Sequence, residues 1–214
     1  ERLLAVTFTR TAAADLVKEL HNLEIDGCER INAGTIHALC FRILMQEDVL
    51  TFLNRKPRPL ITSPKKGIPF FEAAPLIADL MSNNAFGGKR ECTKRIKAFE
   101  ADWARLQSDV PGWPVDATDR AFHAKLIEWL RLHESILIGE LVPLALHHLR
   151  SNPTSAELTA YDHVIVDEYQ DLNKAEQALI NLISENASLS IVGDEDQSIY
   201  SFRHANPQGI VEFN

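Results

Sequence analysis

The stretch Val164-Ile165-Val166-Asp167-Glu168 constrains the fold of this chain more than any other. An unbroken β-branched run ending in two adjacent carboxylates reads as a buried parallel strand that delivers its acids to the carboxyl edge of a sheet, where open α/β sheets bind ligands. There one acid can hold Mg²⁺, usually through water, while its neighbour takes a proton from an attacking water. Many strands simply end in solvated acids, so the pair gains its weight from the residues downstream of it. Lys174 to Ser184 spaces Ala175, Ala178, Leu179, Leu182 and Ile183 as a helical face, and Leu189-Ser190-Ile191-Val192-Gly193 repeats the strand signature. This is a βαβ unit. A right-handed crossover would set the second strand's tip, Asp194-Glu195-Asp196-Gln197, beside Asp167 and Glu168. Two acid-tipped strands side by side outline a phosphate and metal site. After them, Tyr200, Phe202 and Arg203 crowd into a short polar stretch, and such side chains can stack on bases.

The chain opens on Leu3-Leu4-Ala5-Val6-Thr7-Phe8, a strand, and Thr9-Arg10-Thr11 leads into an alanine- and leucine-rich helix in which Asp15 is expected to complement the amino-end dipole. A short strand near Arg30 to Ala33 follows, then a second helix from about Ile36 to Gln46. Thr35 and His37 stand at that helix's start, where hydroxyls, ring nitrogens and backbone N–H groups can meet a phosphate; on local grounds alone His37 reads better as a partly buried structural histidine. From Glu47 the texture changes. Prolines 57, 59, 64, 69 and 75 crowd together and no strand signature returns before Val164. Helices are expected from Pro69 to Asn83, Arg90 to Gln107, Asp116 to Glu134 and Gly139 to Arg150. The fold class is therefore α/β, a partial parallel sheet interrupted by an all-helical inserted subdomain, with bounds at 1–46, 47–135 and 136–214. Trp103 and Trp129 fall at core-like spacings, and His123, His133, His147 and His148 at no metal-ligand spacing.

A formal charge of −8 argues superficially against a nucleic-acid partner, but the charge is segregated. Residues 55 to 97 carry ten Lys or Arg against three acids, either a solvated basic face or a surface that tracks phosphates. No apolar run approaches the roughly 20 residues that span a bilayer, and the amino end has no signal-peptide pattern, so a cytoplasmic location is the default and no membrane partner is expected. Cys28, Cys40 and Cys92 are far apart and odd in number, which suits reduced thiols.

Several stretches now match, in order, the helicase motifs of the UvrD/Rep/PcrA group of superfamily 1. Ala5 to Ala13 (AVTFTRTAA) resembles motif Ia, and Gly34 to Cys40 (GTIHALC) resembles the next DNA-contacting motif. Val166 to Asp171 (VDEYQD) looks like motif II, the Walker B element, and Val192 to Tyr200 (VGDEDQSIY) looks like motif III. The flanks resemble that family's RecA-like domain 1A, of P-loop NTPase type, and the helical interior stands in the place of its inserted domain 1B. The resemblance implies ATP and Mg²⁺ as cofactors, with Asp167 holding the metal, Glu168 activating water and Gln197 sensing the γ-phosphate; Gln170 and Asp194 would join Gln197 around the nucleotide. Phe8, Thr9, Arg10, Thr35, His37, Tyr200 and Phe202 would line a path for single-stranded DNA, with Arg203 near the junction of the two sites. It implies as partners single-stranded DNA, the junction with duplex, and the remaining helicase domains, with translocation toward the 3′ end.

There are departures from the family pattern. Phe202 stands where the family commonly has tryptophan, Thr11 where it has lysine and His204 where it has glycine, which touches the fine DNA contacts and leaves the phosphate chemistry intact. No G-x-x-x-x-G-K-[ST] occurs; Gly88-Lys89 is followed by Arg90. Since the family carries that loop just before motif Ia, its strand is expected to be missing from this chain, so that a parent protein hydrolyses ATP and these residues alone do not. Two other readings compete: a non-catalytic docking module derived from a helicase, and a metal-dependent nuclease built on Asp167, Glu168, Asp194 and Asp196.

Overall fold

Leu3–Val6 (β1), Ile31–Gly34 (β2), His163–Val166 (β5) and Ser188–Ile191 (β6) form one sheet in the order β2-β1-β5-β6, parallel throughout. The computed structural model describes residues 2–22, 27, 31–55, 60–61, 73–82, 84–194 and 205–206. The register is flush: Val6 pairs with both Gly34 and Val166, and Val166 pairs with Ile191. All four strands therefore end level at their carboxyl edge. Val164 and Val166 are fully buried, but Ile165 between them is 38% exposed. The expected strand buried on both faces is thus a strand with one core face; Ile165 pairs with Ser190, itself exposed, on the open face.

The helices of this unit start where short polar side chains claim backbone N–H groups that a first turn leaves unpaired. Thr9 Oγ1 accepts from Ala12 N (3.1 Å) ahead of α1, Arg10–Asn22. Thr35 Oγ1 accepts from Ala38 N (3.3 Å) at the start of α2, Ile36–Leu44. Asp15 lies beyond the first turn of α1, too far along to complement its dipole, contrary to expectation.

Residues 45–143 form a second compact unit, while 1–44 and 144–214 form the first. The second contains α3 (Glu47–Leu53), β3 (Leu60–Ile61), α4 (Ala74–Met81), α5 (Lys89–Ala104), α6 (Ala117–Leu132) and β4 (Ile136–Leu137). It is not all-helical. β3 and β4 pair in parallel, and two-residue strands are too short to leave an alternation pattern in a sequence. Residues 136–143, expected with the last stretch of the chain, cluster here, since buried Glu140 binds Arg55 of the same unit. α7, Leu141–Ser151, begins at that boundary, and α8, Lys174–Ile183, connects β5 to β6.

The core of the second unit gathers Leu76, Leu80, Phe99, Phe122, Leu126 and Trp129. His123 sits edge-on to Phe99 and Trp113, at 5.3 and 5.0 Å between ring centroids. Burial first, and the charge of Arg55 second, hold its imidazole below the ordinary value. The unfolded chain thus takes up a proton that the folded ring resists, so this contribution to stability is full above roughly pH 6.5 and is lost as pH falls below it. The melting temperature should drop between about pH 7.5 and 5.5, and His123→Phe should shrink that drop; an unchanged drop in the variant would refute the assignment.

Candidate functional site

The flush register brings the segments after β1, β2, β5 and β6 to a single edge. Backbone bonds extend it past the strands: Thr7 N donates to Gly34 O (3.0 Å), Asp167 N to Val6 O (2.9 Å) and Val192 N to Val166 O (2.8 Å). Phe8, Thr9, Arg10, Thr35, His37, Asp167, Glu168 and Asp194 all follow directly on these strand ends. The side-by-side ends of β5 and β6 are the arrangement expected of the βαβ unit. Gln197, Tyr200, Phe202 and Arg203 lie outside the described residues.

At the end of β5 the chain turns sharply. Glu168 has φ 53° and ψ 45°, the left-handed region, which puts a side chain's Cβ close to the following carbonyl and costs about 1–2 kcal/mol in a residue other than glycine. Nothing in the sequence announces it. The turn lets Asp167 Oδ1 accept from Glu168 N (3.0 Å), which fixes the Asp167 carboxylate, and it leaves Glu168 exposed at the edge. Tyr169, Gln170 and Asp171 then fold inward as one 3-10 turn, 2%, 1% and 5% exposed.

Gln170, expected at the nucleotide, sits beneath the edge. Its Nε2 donates to Glu168 Oε2 at 2.7 Å, and its Oε1 accepts from Asp194 N at 3.2 Å. One buried carboxamide therefore spans the tips of β5 and β6. A second backbone link runs beside it, Tyr169 N to Val192 O at 3.1 Å. Asp194 is exposed, and its backbone rather than its carboxylate makes this contact.

Of the residues expected along a nucleic-acid path, Thr9 and Thr35 use their hydroxyls to cap their own helices. Arg10 is exposed and Phe8 half-buried. Thr35 also lines a hollow of about 90 Å³ between β1, β2 and α2, together with Asn32 and Arg42. His37 keeps 31% of its side chain exposed and has Nδ1 3.6 Å from Glu176 Oε1. Glu176 is buried and also closes a capping box for α8, in which its Oε2 accepts from Asn173 N (2.9 Å) while Asn173 Oδ1 accepts from Glu176 N (3.0 Å). Asn173-x-x-Glu176 is legible in the sequence as such a box; its proximity to His37 is not.

Gln177 is likewise invisible to sequence reasoning. It donates to Asn206 O (2.8 Å) and accepts from Asn206 Nδ2 (2.7 Å), while Asn206 N donates to Leu172 O (2.8 Å). Residues 205 and 206 are thereby fastened to the start of α8, with Asn173 and Ala205 forming an antiparallel bridge. Within the second unit, Arg55 and Arg95 of the basic stretch are committed to protein partners. Arg55 binds Glu140, and Arg95 binds Asp119 at 2.9 Å with its guanidinium 5.7 Å from the Phe122 ring centre. Lys89, Arg90, Lys94 and Lys97 are exposed on α5.

Among the described residues no three His, Cys, Asp or Glu side chains gather as a metal cage, and no helix is long and apolar enough to cross a membrane. The whole chain, residues 1–214, matches the family model described as the UvrD/REP helicase N-terminal domain. It is similar to proteins named ATP-dependent DNA helicase PcrA, 27% identical in Staphylococcus aureus and 26% in Staphylococcus epidermidis, with 99% of this chain covered in each case. The chain spans 29% of the length of these curated relatives.

Proposed function

Because the chain belongs to the UvrD/REP helicase N-terminal domain family, we propose that it is the part of a cytoplasmic, ATP-dependent DNA helicase that couples phosphate chemistry to movement along single-stranded DNA toward the 3′ end. Residues 1–44 and 144–214 correspond in this reading to the RecA-like domain, and 45–143 to the inserted one. The observation that carries it is the flush sheet edge, which sets the acid pair after β5 two strands from the Thr35–His37 segment and one from Thr7–Arg10. Similarity to helicases named for ATP and DNA supports the same reading.

The acids at the edge fit Mg²⁺, because that ion keeps several waters and takes one or two carboxylates beside phosphate oxygens, so no cage of three acids is required. Asp167, oriented by its bond from Glu168 N, is the carboxylate that would hold it, and such an ion would supply neutralisation of the charge that develops on the phosphates. Glu168 accepts the proton of the attacking water at Oε1, the oxygen that Gln170 does not hold. Phe8, Arg10 and His37 contact the DNA strand, with Tyr200, Phe202 and Arg203 continuing the track and Gln197 reading the γ-phosphate. The exposed lysines and Arg90 of α5 offer a basic surface that can track DNA phosphates.

The 214 residues contain no G-x-x-x-x-G-K-[ST], so the lysine and backbone N–H groups that cradle phosphates come from outside them. ATP turnover by the full-length polypeptide should rise with single-stranded DNA, and unwinding should favour duplexes with a 3′ tail over those with a 5′ tail. Residues 1–214 alone should turn over no ATP under the same conditions. DNA-independent turnover by the full-length protein, or preference for the 5′ tail, would overturn the corresponding half of the proposal.

A further inference from the structure

We propose that Gln170 is a positioning residue for ATP hydrolysis: its buried carboxamide holds the Glu168 carboxylate in place and ties it to the tip of the neighbouring strand. The proposal rests on the reading of Glu168 as the group that activates water, and it replaces a direct nucleotide contact by Gln170.

Glu168 is exposed and hangs from a left-handed backbone position, so its side chain retains rotamer freedom unless something restrains it. Gln170 is 1% exposed and supplies that restraint, with Nε2 2.7 Å from Glu168 Oε2. The other end of the same amide is fixed by Asp194 N at 3.2 Å. A carboxamide is suited to this position because it offers a donor and an acceptor on one rigid plane. The donor meets a carboxylate at the tip of β5, and the acceptor meets a backbone N–H just past β6. A shift of Asp194 is therefore transmitted to Glu168 through one planar group. Among the described residues Gln170 holds one carboxylate oxygen, Oε2, which leaves Oε1 for the attacking water.

Steady-state kinetics of the full-length protein with saturating single-stranded DNA tests this. Gln170→Asn keeps both functions one methylene short, and Gln170→Leu removes both. Turnover should fall about 10-fold in the first and about 100-fold in the second, with KM for ATP and the affinity for a non-hydrolysable ATP analogue within about twofold of wild type. A merely structural glutamine would lower the melting temperature and leave kcat per folded molecule unchanged, and that result overturns the proposal. A rise in KM at unchanged kcat overturns it in favour of nucleotide contact.

Without nucleotide, the melting temperatures of Glu168→Ala, Gln170→Leu and their double variant provide a cycle independent of activity. The double should lose about 2–4 °C less than the sum of the singles, whereas strict additivity counts against the contact. Glu168→Gln run in parallel separates the two levels. If it retains wild-type turnover, the assignment of Glu168 falls; if it is inactive while Gln170→Leu turns over normally, only the role of Gln170 falls.

Discussion

Glu168→Gln is expected to lower ATP turnover by the full-length protein roughly 10²- to 10⁴-fold while leaving ATP binding near wild type. The substitution removes a proton acceptor and very little else. Its backbone already occupies the left-handed region, and glutamine and glutamate differ there only at the end of the side chain. The contact with Gln170 survives, since the new carboxamide can present its oxygen to the Gln170 Nε2 that now binds Oε2. Asp167, whose carboxylate is fixed by the backbone N–H of residue 168 rather than by that side chain, keeps its orientation. Binding and hydrolysis should therefore separate, as they do when an interaction needed only for the chemical step is removed. Turnover within threefold of wild type would instead mean that the exposed carboxylate is a solvated strand end, the bland alternative that the sequence left open.

The sheet was legible where apolar runs and a helical period alternate. β5, α8 and β6 follow from Val164–Val166, the spacing after Lys174 and Leu189–Ile191, and a crossover of that length leaves the two strands parallel neighbours. The edge was legible too, because acids and small polar residues directly follow each apolar run. The features that stayed hidden depend on contacts between positions whose order in the chain says nothing about their meeting. Glu168 is a residue that avoids positive φ, and only the inward fold of Tyr169 to Asp171 requires it there. Gln170 and Asp194 are 24 residues apart, and Gln177 and Asn206 are 29 apart, so neither amide bridge leaves a local pattern. The family resemblance supplied residue roles that spacing alone could not. It did not reveal that Gln170 faces protein partners or that Thr9 and Thr35 are occupied as helix caps. Counting charge misled in the same way, since Arg55 belongs by composition to a basic stretch and by structure to a buried pair.

That pair should produce a large stability effect when one partner is removed from the unit formed by residues 45–143. Arg55 and Glu140 keep only 5% and 4% of their side chains exposed, and their two hydrogen bonds measure 2.9 and 3.2 Å. Glu140 Oε2 accepts as well from Leu137 N (3.0 Å), so one carboxylate joins α3's carboxyl end to β4. Glu140→Ala leaves a guanidinium charge and a backbone N–H buried without their acceptor, a change that typically destabilises by about 3–5 kcal/mol. With roughly 2–4 °C per kcal/mol for a chain of this size, the melting temperature should fall by about 6–20 °C. Replacing both partners by methionine should recover much of the loss, because the cost lies in the stranded charge more than in the absent attraction. A circular-dichroism melt of the two variants beside wild type decides it. A fall below about 2 °C for Glu140→Ala would mean that water reaches the guanidinium, and a double variant no better than the single would locate the stability in the ion pair itself.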